Sequence, residues 1–324
     1  DRVVNHADGP GSNPGGVYTA VFVNGVGDGV GGDPGGGDNA MYYRASKVTL
    51  VSSQTIQTES AGGIRDWTYC KMRLAGYTSS AAELHIFIAH LSSGGGAPQR
   101  QIEAQVYRDW VEANLPSGAN IICCGDFNLA NSSEGAWTKF TQSQGANVGR
   151  LRDPANRVGN WHLSSSFADV HTQCPEADQI GSCASGAGYA GGAMDDRFDF
   201  LLSSDPLHNL SNLDYISGSY QAYGNDSLHF DKGINVSPVI PEGQPMADAL
   251  ACASDHMPVL LQLQAPPRIS TPTSLAFGSV IVGATAQQSL AVTNTAPVPG
   301  QTLTYSMVFP AGFTGPTEGF NEPA

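Results

Sequence analysis

Apolar positions along the chain form short continuous runs and one stretch of helical period. Residues 17–23 (VYTAVFV), 41–43, 47–52, 72–74 and 84–89 read as strands, the last a nearly unbroken apolar run of the kind a sheet buries on both faces. Between 101 and 114 the period changes. There Ile102, Val106 and Trp110 recur every four residues on one face, which predicts a helix. Residues 120–124 return to a buried strand, and 198–202 and 259–263 predict two more. A long loop-rich stretch between them holds most of the aromatic and histidine side chains. Strands interleaved with a helix predict a mixed α/β (α+β) architecture with functional loops at strand ends.

Two segments break the pattern. Gly27, Gly29 and Gly32 satisfy GxGxxG, but residues 33–37 (DPGGG) forbid the helix that a dinucleotide fingerprint needs. A surface loop is expected, with a calcium-binding Gly/Asp turn as the alternative. After residues 265–268 (APPR), charged residues nearly vanish, and strand-like runs at 275–278, 280–283 and 289–294 suggest an immunoglobulin-like β-sandwich. Such a domain needs about 100 residues. The expected division is a larger unit at 1–265 and a partial sandwich at 266–324.

Composition narrows the function. The 324 residues carry 29 acidic and 15 basic side chains, a net charge of −14, with no Lys/Arg run. Binding of polyanions by charge neutralisation alone is excluded, so a phosphodiester substrate calls for a divalent cation. The 39 glycines, polar loops and few lysines resemble secreted or cell-surface bacterial proteins. No apolar run approaches a membrane span, and the first residues do not read as a signal peptide. Six cysteines lack a CxxC pair. Cys174 and Cys183 flank a polar loop and are expected to close it by a disulfide, with a zinc site completed by His162 and His171 as the rival. Cys123 and Cys124 read as core residues.

Four strand ends carry candidate chemistry. In GDFN (125–128), Asp126 and Asn128 would point toward one phosphate, the carboxylate handling a proton or metal and the amide donating to an oxygen. A plain turn cap explains the same residues equally well. SDHMP (254–258) offers Asp255 as a metal ligand and His256 as a base. Asp199, the one carboxylate inside RFDFLL (197–202), wants a partner: His256, whose tautomer it would fix, or Arg197. His90 ends a strand in HLSS (90–93), where either a cleft or a structural role fits.

The series HLSS, GDFN, RxDF and a final SDHMPV strand, in that order, resembles the endonuclease/exonuclease/phosphatase family over roughly residues 40–264. Trp161-His162, residues 218–220 (GSY) and Gly224-Asn225 look like loops of its secreted bacterial members. The resemblance implies a four-layer sandwich, two mixed β-sheets face to face with helices outside. It also implies phosphoester hydrolysis by activated water, dependent on Mg²⁺ or on Mn²⁺ or Ca²⁺. His256, oriented by Asp199, takes the role of general base or of imidazolium holding the transition state. Asp255 and Asp126 become metal ligands, Asp126 also placing the nucleophile, and Asn128 and His90 bind phosphoryl oxygens.

The family's first strands bring an Asn and a metal-binding Glu in a Gln-Glu pair. Neither is found, and Glu59, Glu83 and Glu103 are poor substitutes by position, so the expected domain is N-terminally incomplete. The resemblance implies an extracellular nuclease, a monomer acting on nucleic acid or another phosphodiester. A phosphatase or lipid phosphodiesterase of the same fold stays open. So does a non-catalytic surface or adhesion protein, attached through its C-terminal domain.

Overall fold

The computed structural model describes residues 18–22, 39–58, 61, 65–173, 192–210 and 213–324. The glycine-rich loop and the Cys174/Cys183 pair lie outside them. Cys252 is disulfide-bonded, and Cys70, Cys123 and Cys124 are free.

Strands β1 (Thr19–Phe22) and β2 (Ala40–Tyr43) pair with each other. Strands β3 (Val48–Ile56), β4 (Trp67–Leu74) and β5 (Glu83–His90) form an antiparallel meander. Helix α1 (Ala97–Asn114) then crosses over, which lets β6 (Ile121–Asp126) lie parallel to β5. Helix α2 (Gly135–Thr141) and β7 (Leu151–Arg152) precede β8 (Asp199–Ser204), which runs antiparallel to β6. The product is one mixed sheet of six strands in the order β3-β4-β5-β6-β8-β7.

One face of this sheet packs under α1 and α2 through an aromatic core that includes Trp67, Phe87, Tyr107, Phe127, Phe140 and Phe200. The other face buries Ile122 with Leu207 and Leu213, against which Cys124, Leu201 and Leu263 pack. There β9 (Asp214–Tyr215), β10 (Gln221–Ala222), helix α3 (Gln244–Ala253), β11 (Val259–Leu260) and β12 (Leu263–Gln264) follow in order. They pair as β9–β12 and β10–β11, and α3 packs on Met194, Ile240 and Met257. This is the expected mixed α/β arrangement, with the second sheet reduced to two short ladders.

Two expectations need correction. Helix α1 buries Arg100, Glu103, Ala104, Tyr107, Arg108 and Val111, whereas Val106 and Trp110 of the expected face are only partly buried. The charged members of the buried face are partnered, apart from the Arg108 Nε, which has no hydrogen-bond acceptor. Arg100 binds Glu134 at 2.7 Å, Arg108 donates to the Lys139, Gln142 and Gln144 carbonyls, and Glu103 accepts from Ser92. Within 266–324, only β13 (Ile269–Ser270), β14 (Thr293–Asn294), β15 (Leu303–Tyr305) and β16 (Phe320–Glu322) form. They make two isolated ladders, compatible with part of a sandwich. The strands expected at 275–278 and 280–283 are absent, and Val282 is fully exposed, because no opposing sheet covers it.

Candidate functional site

The cleft is built by register. His90 ends β5 opposite Asp126, which ends β6 opposite Asp199, the first residue of β8. Directly opposed residues share a face, so three polar side chains line up across the sheet edge at one strand spacing each. Gly125 makes the alignment possible. Its φ is +129°, and a Cβ there would meet the Ala89 carbonyl oxygen at 1.9 Å. The glycine of GDFN is therefore what lets β6 approach β5 just before the cleft.

His256 closes the row. Its backbone bridges Gln173, Met257 N–H donates to Thr172 O at 2.8 Å, and its Nδ1 lies 2.7 Å from Asp199 Oδ2. Since a carboxylate only accepts, the proton sits on Nδ1, and Nε2 faces Asp126 Oδ2 at 4.0 Å. His90 Nε2 lies 3.4 Å from the same oxygen. Asp199 thus takes His256 of its two expected partners, while Arg197 pairs with Asp153 at 2.7 Å, stacked over Phe200 and hydrogen-bonded to Tyr220.

Electrostatics raise both central groups, which disfavours the charged form of the carboxyl and favours that of the imidazole. Burial, then the Asp199 charge, raise the Asp126 carboxyl to about 7 against the opposing pull of His256, the Asn128 N–H and Arg65. For His256, burial would favour the neutral ring. The hydrogen bond and charge of Asp199, with Asp126 and Asp255, outweigh it and raise the imidazole to about 9. His90 is lowered by burial, Arg65 and His256, against Asp199 and Asp255.

The structure thus gathers His90, Asp126, Asp199 and His256, with Asp255 within electrostatic reach of both imidazoles. Asn128 differs from the expectation. It sits at φ 50°, its N–H bonds Asp126 Oδ1 at 2.9 Å, and its Nδ2 donates to Leu91 O at 3.0 Å. The chain has already left the strand at Asn128, so its amide holds the HLSS loop and only one N–H of that amide is left for a ligand.

Three supporting residues had no sequence signal. Thr172 Oγ1 accepts from the Phe198 and Asp199 N–H groups, both at 3.1 Å, and fixes the start of β8. Glu103 accepts from Ser92 N and Oγ at 3.0 and 2.6 Å and anchors the loop after His90. Arg65 supplies the positive charge felt by His90 and Asp126. All three lie in positions that only tertiary packing brings to the cleft.

The zinc reading of His171 does not hold. That ring is buried, with its nitrogens at Met194 O (3.3 Å) and Trp161 O (2.9 Å). A divalent ion of the Mg²⁺ type needs several oxygen donors around one point. Among the described residues no group of three or more His, Cys, Asp or Glu side chains is gathered to hold a metal. Asp126 and Asp255 therefore do not complete a metal site by themselves. No described helix is long and apolar enough to cross a membrane.

A family profile described as "Endonuclease/Exonuclease/phosphatase family" matches residues 2–256. No curated protein gives a match. Among solved structures, zebrafish (D. rerio) TDP2 humanised by 14 mutations is 14% identical, with 78% of each chain covered and a TM-score of 0.45. An endonuclease/exonuclease/phosphatase protein of Bacteroides vulgatus is 16% identical, with 77% of each chain covered and a TM-score of 0.46. The mannosyl-6-phosphatase of Bacteroides thetaiotaomicron is 16% identical, with 76% of this chain and 77% of that one covered and a TM-score of 0.42.

Proposed function

Since the chain belongs to the endonuclease/exonuclease/phosphatase family, we propose that it hydrolyses a phosphodiester by attack of an activated water, with nucleic acid as substrate. One observation carries the reading: His90, Asp126, Asp199 and His256, from four separate stretches of chain, converge at one sheet edge. With Asp126 raised to about 7 and His256 to about 9, the pair between those values is carboxylate and imidazolium. Asp126 takes a proton from the attacking water as the water oxygen bonds phosphorus, and the ester P–O bond breaks with its oxygen leaving as an alkoxide that solvent protonates. The imidazolium, held by Asp199, opposes the charge growing on the phosphoryl oxygens. His90 and the remaining Asn128 N–H donate to the same group. Of the two roles expected for His256, its raised pKa supports the imidazolium.

Family members are typically dependent on a divalent metal. The carboxylates expected to hold Mg²⁺ here, Asp126 and Asp255, fall short of a full donor set, so the reading stands on the protein groups. The acidic, glycine-rich composition supports an extracellular setting. The test is a panel of plasmid DNA, RNA, sphingomyelin and inositol phosphates, each with Mg²⁺, Mn²⁺, Ca²⁺ or EDTA. Cleavage of DNA or RNA is expected. Turnover confined to lipid or inositol phosphates would move the assignment to the phosphatase or lipid branch, and no turnover of any substrate would favour the binding protein.

A further inference from the structure

A second imidazole–carboxylate pair stands beside the first. His162 Nδ1 lies 2.9 and 3.0 Å from the two oxygens of Asp196. The Asp196 side chain is 8% exposed and the His162 ring 52% exposed. The backbone around His162 is fixed on both sides: Trp161 and His162 N–H groups share Ala130 O at 3.0 and 3.1 Å, and Leu163 N–H donates to Asp195 O at 2.9 Å. The carboxylate only accepts, so Nδ1 carries the proton and Nε2 is the outward nitrogen.

The backbone relates this pair to the cleft. Gln173 bridges Asp196 on one side and His256 on the other, both antiparallel. Asp195 N–H donates to Gln173 O and Gln173 N–H to Asp196 O, each at 3.1 Å. Residues directly opposed in antiparallel pairs project to one face. Asp196, Gln173 and His256 therefore share a face, and the outer residues stand two strand spacings apart, about 10 Å. That exceeds the reach of one phosphoryl group. A substrate touching both pairs must carry a second acceptor beside the scissile phosphorus.

We propose that His162, positioned by Asp196 and flanked by Gln173, forms a second subsite on the same face that receives a further phosphate of a nucleic-acid strand. The inference rests on the hydrolase reading and extends it from one phosphate to a polymer. In a chain with a net charge of −14, a fixed N–H donor at this point supplies locally what a basic surface supplies elsewhere. His162 binds substrate and is no part of the proton transfer.

The test compares wild type with His162→Asn, whose amide keeps the bond to Asp196 and lacks the outer nitrogen. For a single-stranded oligonucleotide, KM is expected to rise about tenfold with kcat unchanged, about 1.4 kcal/mol of binding. For bis(p-nitrophenyl) phosphate, which has one phosphate, both constants are expected to stay at wild-type values. Binding of the same oligonucleotide in EDTA, read by fluorescence anisotropy, is expected to weaken by the same factor. Equal effects on the two substrates, or no effect on either, overturn the subsite while leaving the hydrolase reading intact. If wild type hydrolyses neither compound, the hydrolase reading fails and the anisotropy decides: weaker binding by the variant supports the subsite, and unchanged or absent binding overturns it.

Discussion

Asp126 sits between two imidazoles and a second carboxylate, and this placement sets what each group can do. Ionising Asp126 in the fold is unfavourable because of burial and the charge of Asp199, so its carboxyl is raised to about 7. The sign has a direct consequence. A carboxyl raised in the folded state makes the fold lose stability as pH climbs from the ordinary carboxylate value toward 7. Asp126→Asn should therefore raise stability at pH 8 by ~1–2 kcal/mol while abolishing turnover, and the melting temperature of variant and wild type across pH checks it. His256 has the opposite sign. Raised to about 9, it contributes stability fully present below its unfolded value and lost as pH rises toward 9. In the proposed roles Asp126 acts ionised and His256 protonated, so the pH–rate profile should be a bell with limbs near 7 and 9. A rate that climbs steadily through pH 10 would contradict these roles.

At the scale of elements, the parallel pairing of β5 and β6 is what brings His90 beside Asp126, and Gly125 is its weakest point. Gly125→Ala would drive a Cβ into the Ala89 carbonyl at a backbone angle that L side chains rarely adopt. The expected cost is ~2–4 kcal/mol, measurable by denaturant unfolding, with loss of activity. The strand ends were legible in the sequence because apolar runs give way there to polar motifs, as at HLSS, GDFN, RFDF and SDHMP. The interior of α1 was not. Its buried face contains Arg100, Glu103 and Arg108, and charged residues are read as solvent-facing until their partners are known. Nor was the row His162, Asp196, Gln173, since two isolated bridges leave no periodic trace. Strand 259–263 also split into β11 and β12, because its two halves pair with different partners, β10 and β9.

For the whole molecule, the sheet and its two covering layers carry every residue of the cleft, whereas residues 266–324 touch that body at few points. Tyr77 Oη donates to Pro266 O at 2.6 Å, Arg268 reaches Gly76 O at 3.2 Å, and Ala265 bridges Gly300. We propose the boundary at residue 265. A chain ending there should keep its fold and its kcat, checked by circular dichroism and turnover, and collapse of the shortened chain would place the C-terminal segment inside the catalytic unit. We propose that one edge of the six-stranded sheet is a hydrolytic centre organised by His256 and Asp199. Its most direct test is the rate of bis(p-nitrophenyl) phosphate hydrolysis at pH 8 by wild type and His256→Ala side by side. Measurable turnover is expected in wild type, with a loss of about 10²–10⁴-fold in the variant. Equal rates for the two proteins would contradict it.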